Sequence, residues 1–227
     1  MKILKEWSLF EISWLLTFTI VNIYLFFAFD DTLIGLVASL TGMLCVVLVA
    51  KGKISNYFFG AINTALYAYL SYKQQLFGEV MLNGLFYFPI QFIGFYLWSK
   101  KKTKTNGAIT IEVKRLTKNG WLITISIAVT AIISYALLLK YLGGKQVWLD
   151  SSTNVLSIIA QILMLKRFAE QWVIWIVINM LSITMWSIAF MTSGESITVL
   201  VMWSAYLVNS IYGYINWSKL AKEQEAS

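Results

Sequence analysis

Eight apolar stretches take up most of this 227-residue chain, and each has the length of a membrane span. They cover residues 12–29, 32–50, 54–72, 77–98, 121–139, 147–165, 171–191 and 196–217. A helix needs roughly 20 predominantly apolar residues to cross the hydrocarbon core. Within lipid, every backbone N–H and C=O must be satisfied inside the protein, so stretches of this length fold as helices. Too little chain remains between them for a soluble catalytic domain. The expected fold class is an all-α polytopic membrane protein with eight transmembrane helices.

The charges fall on one side of that map. Of the 18 cations, Lys2, Lys5, Lys51, Lys53, Lys100, Lys101, Lys102, Lys104, Lys114, Arg115, Lys118, Lys166, Arg167, Lys219 and Lys222 flank the same ends of the spans. Only Lys73, Lys140 and Lys145 lie at the opposite ends, near Asp30, Asp31, Glu79 and Glu195. The excess of Lys and Arg marks the cytoplasmic face, so both termini are expected in the cytoplasm. The net charge of +7 then reads as a topology signal with some reach to anionic lipid, not as a nucleic-acid surface. The first stretch lacks a small-x-small cleavage pattern and a second span follows at once, so it is expected to be retained. The one cysteine, Cys45, allows no intrachain disulfide.

The two halves resemble each other. "GFYLWSK" at 94–100 and "GYINWSK" at 213–219 close the fourth and eighth stretches, and "AIN" at 61–63 pairs with "VIN" at 177–179. The second to fourth spans thus correspond to the sixth to eighth. Because four spans separate each matched pair, the two triplets point the same way. Parallel repeats are a recurrent transporter design, with the substrate near the midplane. One membrane domain, 1–227, is expected. It comprises an extra N-terminal helix (1–30), a first triple-helix repeat (31–99), a cytoplasmic loop with a linker helix (100–145), a second repeat (146–219) and a cytoplasmic tail (220–227).

Most catalytic chemistry is missing. There is no histidine, which removes His-ligated metals and Ser-His or Cys-His nucleophile pairs. No span centre holds Asp, Glu, Lys or Arg, so there is neither an intramembrane carboxylate dyad nor a proton relay. Neither Gly52-Lys53 nor Gly144-Lys145 belongs to a P-loop. The chain is expected to be no enzyme, to need no cofactor or metal, and to transport passively; sodium held by backbone carbonyls stays open.

Polar residues instead recur at helical spacing. The third span aligns Asn56, Asn63 and Tyr67; the fourth Asn83, Tyr87 and Gln91. The sixth aligns Asn154, Ser157 and Gln161. The seventh aligns Trp172, Trp175, Asn179 and Trp186, and the eighth Tyr206, Asn209 and Gly213. An amide in hydrocarbon costs several kcal/mol unless paired, so these faces turn inward. They can bond helix to helix, or line a wet cavity. Trp7, Trp98, Trp121, Trp148 and Trp217, at span ends, suit an interfacial belt. Amides and tyrosine hydroxyls can bond ribose-like groups, and aromatic faces can stack on a ring, best a cationic one. A nucleoside, vitamin or sugar fits this chemistry. Pro89, the only proline, lies between Tyr87 and Gln91 and is expected to kink or hinge the fourth span.

"AEQWVIWIVINMLSITMW" at 169–186, "AINTALYAYLSY" at 61–72 and the paired Gly-x-x-x-Trp endings resemble the PnuC family of vitamin transporters, over about 7–219. That resemblance implies a 3+1+3 helical core related to the SWEET sugar transporters, a homotrimer with one pathway per protomer, and nicotinamide riboside as substrate. It also implies facilitated diffusion across a bacterial inner membrane, with trapping by a cytoplasmic kinase. Trp172, Trp175 and Asn179 would line the substrate site, joined by Asn63, Tyr67 and Gln91; Tyr87, Gln161, Tyr206 and Asn209 complete the candidate set. Thiamine or another vitamin on the same scaffold is the near alternative. A receptor or scaffold that transports nothing is the distant one.

Overall fold

The computed structural model describes residues 7–28, 32–73, 80–105, 108–143, 147–193 and 197–225. Lys2, Lys5, Asp30, Asp31, Glu79, Lys145, Glu195 and the first residues of the expected fourth and eighth spans lie outside them, as does the side chain of Trp186. The helices are α1 (Leu9–Ala28), α2 (Leu33–Ala50), α3 (Asn56–Lys73), α4 (a π-helix Leu82–Tyr87 continuing as Phe88–Ser99), α5 (Lys118–Tyr141), α6 (Val147–Leu165), α7 (Gln171–Ser193) and α8 (Ile197–Glu225). Each expected span is helical where it is described, apart from Thr32, Ile54 and Ser55 at the starts of two of them. By length and composition α1, α2, α5 and α6 are apolar enough to cross a bilayer, with mean hydropathy 1.7, 2.6, 2.4 and 1.2. Asn56, Asn63, Lys73 and four tyrosines hold α3 below that mark. A short hairpin, β1 (Lys102–Thr105) with β2 (Ala108–Ile111), breaks the all-helical pattern. Its sequence signal is the Asn106-Gly107 pair, a hairpin-turn dipeptide.

The chain divides into two compact units, Met1–Ile111 and Glu112–Ser227. In unit 1, α1 packs on α2, α2 on α3, and α3 on α4. Unit 2 has the same order, α5 on α6, α6 on α7, α7 on α8. Within its unit, α1 therefore stands to α2 as α5 stands to α6.

The turns that join the second and third helices of each unit also match. Gly52 (φ 63°) and Arg167 (φ 65°) both take the left-handed conformation that closes a helix. Lys53 N donates to Leu48 O, and Phe168 N to Leu163 O, both at 2.9 Å, across these turns. Glycine takes that conformation without strain. Arg167 does not, and it is held there from outside. Its Nε donates to Glu112 O at 3.0 Å, and Lys114 pairs with Phe168 in a parallel bridge.

Each unit anchors its first helix to that turn by a buried carboxylate. In unit 1 the Ser8–Glu11 capping box opens α1: Ser8 N donates to Glu11 Oε2 at 2.7 Å, and Glu11 N to Ser8 Oγ at 3.2 Å. The same carboxylate pairs with buried Lys51, and Lys51 lies 4.5 Å from the Trp7 ring centroid. In unit 2, Glu170 accepts from Arg115 Nε at 2.7 Å and from Leu116 N at 2.9 Å, just before Thr117 caps α5. That hydrogen bond, helped by the coulombic pull of Glu170 and opposed by partial burial, holds the Arg115 guanidinium above its ordinary range.

Candidate functional site

The third and fourth helices of each unit are clamped at one end by an aromatic ring on a glycine. In unit 1 a Cβ on Gly94 would overlap the Tyr57 ring, and Tyr57 meets Trp98 edge to face at 5.0 Å. In unit 2 a Cβ on Gly213 would come within 2.5 Å of the Trp172 ring, and Trp172 meets Trp217 edge to face at 6.2 Å. Trp98 and Trp217 are 0% exposed. They are packing residues, and the interfacial belt expected of them does not hold. Trp148, by contrast, is largely exposed.

These clamps set the register between the units. Tyr57 matches Trp172, and the fully buried Asn56 matches Gln171, both 115 residues apart, as Gly52 and Arg167 are. On α4 and α8 the spacing is 119, which pairs Gly94 with Gly213, Trp98 with Trp217 and Gln91 with Ser210. "AIN" and "VIN" are 116 apart, one residue off. Asn63 is therefore six residues beyond its ring residue and Asn179 seven. One residue is about 100° of helix, so the two amides face different neighbours.

The hydrogen bonds bear this out. In unit 1, Asn63 Nδ2 donates to Ala38 O of α2 at 2.8 Å, over Gly42, where a Cβ would lie 2.7 Å from it. Among the described residues no donor reaches its Oδ1. In unit 2, Asn179 Nδ2 donates to Ser210 Oγ of α8 at 2.9 Å, and the residue is 2% exposed. Thr64, which matches Asn179 at the 115 spacing, bonds its own helix at Gly60 O.

Gln91 is 7% exposed, its Nε2 donating to Tyr87 O at 3.0 Å and its Oε1 filling the notch left by Gly60. It is seated between α3 and α4 and does not line an open face. Tyr87 is half-buried, against Phe86. Tyr67 is 46% exposed, one turn beyond Asn63. Pro89 follows the π-helix, where Phe88 N bonds Asn83 O five residues back. A wider turn relieves the clash that a proline ring makes with the preceding carbonyls. Asn83 is buried on this segment.

In unit 2 Trp172 is 3% exposed, and its indole N–H is buried without a hydrogen-bond partner among the described residues. Trp175 is half-buried and packs with Trp203 against Ala160, Leu163, Ile174 and Ile178. Tyr206 meets Trp203 edge to face at 5.9 Å. Gln161 and Asn209 are buried. The structure thus brings Trp172 and Asn179 to the α7–α8 seam, and Asn63 to α2. Asn154 bonds its own helix at Asp150 O. Sequence reasoning missed Ser210, Trp203 and the Gly42 and Gly60 notches. Ser210 was within reach, because the 119 spacing lands on it from Gln91.

Among the described residues, no three His, Cys, Asp or Glu side chains are grouped to hold a metal. What the seams offer is amides, hydroxyls and aromatic faces. A family model described as the nicotinamide mononucleotide transporter matches residues 32–219. The chain belongs to this family. Members include the nicotinamide riboside transporter PnuC of Neisseria mucosa, 47% identical over 95% of this chain and 83% of that protein. The Haemophilus influenzae protein of the same name is 38% identical over 95% of this chain and 92% of its own length. A crystal structure of a vitamin B3 transporter PnuC is 45% identical, covers 95% of this chain and 93% of its own, and superposes with a TM-score of 0.81. This chain is accordingly a multi-pass membrane protein of a transporter family and not an enzyme.

Proposed function

We propose that this protein carries nicotinamide riboside across the bacterial inner membrane by facilitated diffusion. The names of its relatives point to that substrate. The observation that carries the reading is the absence of an available cation along the amide and aromatic seams. Among the described residues, the buried cations Lys51 and Arg167 sit in the turns after α2 and α6, each beside a carboxylate. A mononucleotide would bring a phosphate that needs charge-assisted donors; a riboside needs only hydroxyl and amide partners and an aromatic face. The riboside is therefore favoured over the mononucleotide of the family's description.

In this reading Asn179, Tyr206 and Asn209 bond the ribose and carboxamide, Trp175 faces the pyridinium, and the Trp172 N–H engages as the α7–α8 seam opens. Asn63 Oδ1, Tyr67, Tyr87 and Gln161 belong to the same pathway, and Gln91 joins it as the α3–α4 seam opens, with Pro89 and the π-helix as its hinge. The 3+1+3 arrangement, a homotrimer, cytoplasmic termini and trapping by a cytoplasmic kinase complete the proposal. Counterflow tests it: purified protein in proteoliposomes, with unlabelled nicotinamide riboside inside, takes up the labelled compound without ATP or an ion gradient. Excess mononucleotide or thiamine leaves that uptake intact. No counterflow, or full competition by either compound, would overturn the assignment.

A further inference from the structure

The inference here rests on the riboside reading and concerns what drives it. Nicotinamide riboside is a cation: its pyridinium nitrogen is quaternised by the ribose carbon, and no phosphate balances it. The protein must either compensate that charge or let it cross.

Nothing along the helices compensates it. Residues 12–29, 32–50, 54–72, 80–99, 119–139, 151–165, 171–193 and 196–218 contain no Asp, Glu, Lys, Arg or His. The ionisable groups that the helices do carry sit at their ends. Glu11 and Asp150 lie in the first turns of α1 and α6, and Lys73, Lys140 and Lys222 are assigned to the last turns of α3, α5 and α8. Glu11 is paired with Lys51, and Glu170 with Arg115, at the connections. The pathway therefore has no carboxylate to travel with the substrate. It also has no group that gains or loses a proton near neutral pH. Asn, Tyr and Trp solvate a pyridinium through oxygen dipoles and π faces, without changing the net charge that moves.

We propose that this protein is an electrogenic uniporter: each turnover carries one substrate and one uncompensated positive charge inward. An inside-negative membrane potential then concentrates the substrate by itself, before any chemical trapping. No bond is made or broken and no counter-ion crosses. Moving one charge is worth about 2.3 kcal/mol per 100 mV. With a tenfold change for about 1.4 kcal/mol, a potential of about 100 mV sustains roughly 50-fold accumulation. Protein orientation in the vesicle does not matter, because a uniporter sets an equilibrium.

The test uses the full chain in proteoliposomes without kinase, clamped by potassium gradients and valinomycin. Counterflow of labelled nicotinamide riboside at zero potential comes first; its absence overturns the riboside reading and this inference with it. With counterflow present, the expected ratio of internal to external substrate is one at zero potential. It rises to about 50 at about 100 mV inside-negative, and falls below one inside-positive; protein-free vesicles show none of this. A ratio of one at every potential would overturn the inference while leaving the riboside reading standing. A substrate jump on a supported membrane should give an inward current, and electrical silence would equally overturn it.

Discussion

Replacing Gly213 by alanine is expected to separate α7 from α8. The new Cβ would lie 2.5 Å from Trp172 Cε2 and 2.6 Å from Cδ2 and Cζ2. Carbon atoms rest at about 3.5–4.0 Å, so the ring or the helix must yield by about 1 Å. There is little slack, because Trp172 and its neighbour Trp217 are both buried. Overpacking costs about 1–3 kcal/mol, and three ring atoms in one rigid plane put this site at the upper end. Alanine recovers about 1 kcal/mol of helix propensity. The net loss is about 2 kcal/mol, a factor of roughly 30 in the folded ratio. For a chain of this length that is a fall of about 4–8 °C in Tm. Tryptophan fluorescence during heating of the purified protein reads it directly. Gly84→Ala is the control, because its nearest neighbour would be Ala68 at 3.9 Å. In a Trp172→Phe background the added Gly213→Ala should cost much less, a coupling that a double-mutant cycle isolates. Gly213→Ala with the wild-type Tm would refute the seating of Trp172 on α8, and the register built on it.

The remaining expectations concern the polar contacts. Glu11→Gln strands Lys51 in a buried place and should destabilise by about 3–5 kcal/mol, whereas Glu11→Gln with Lys51→Met should be much milder; heat denaturation of the wild type and these two variants checks the pair. Asn179→Leu should abolish substrate binding in a titration while the protein still elutes as folded. Ser210→Ala leaves the Asn179 amide without its partner, which should cost about 0.6–2 kcal/mol and weaken binding without abolishing it. Gly42→Ala forces Asn63 from Ala38 O; counterflow should slow, and an unchanged rate would remove Asn63 from the pathway.

Much of the architecture was legible because it follows from length and polarity. Apolar runs of span length appear as helices, and the amides named from their spacing are all buried or half-buried, whereas Tyr67 on the same pattern is exposed. The repeat was legible at its Gly-x-x-x-Trp endings, where the glycine makes room for a ring. It was misread at Asn63 and Asn179, since a shared tripeptide does not show that the second asparagine stands further along its helix by one residue. That residue rotates the amide by about 100°, from α8 to α2. The tryptophans were misjudged for a related reason. Trp98 and Trp217 sit at span ends, as belt residues do, but each closes on a ring from the neighbouring helix.

The sequence by itself determined the class of the molecule and the chemistry of its interior. Cations concentrated on one set of connections, span-length apolar runs and the missing histidine need no coordinates, because hydrocarbon rejects charge and unpaired backbone wherever the helices lie. Only the tertiary structure decided what each polar residue does. Gln91 sits in the Gly60 notch, Asn63 bonds α2, and Asn179 bonds Ser210. These partners depend on helix rotation and close approach, which a periodicity of 3.6 residues leaves open.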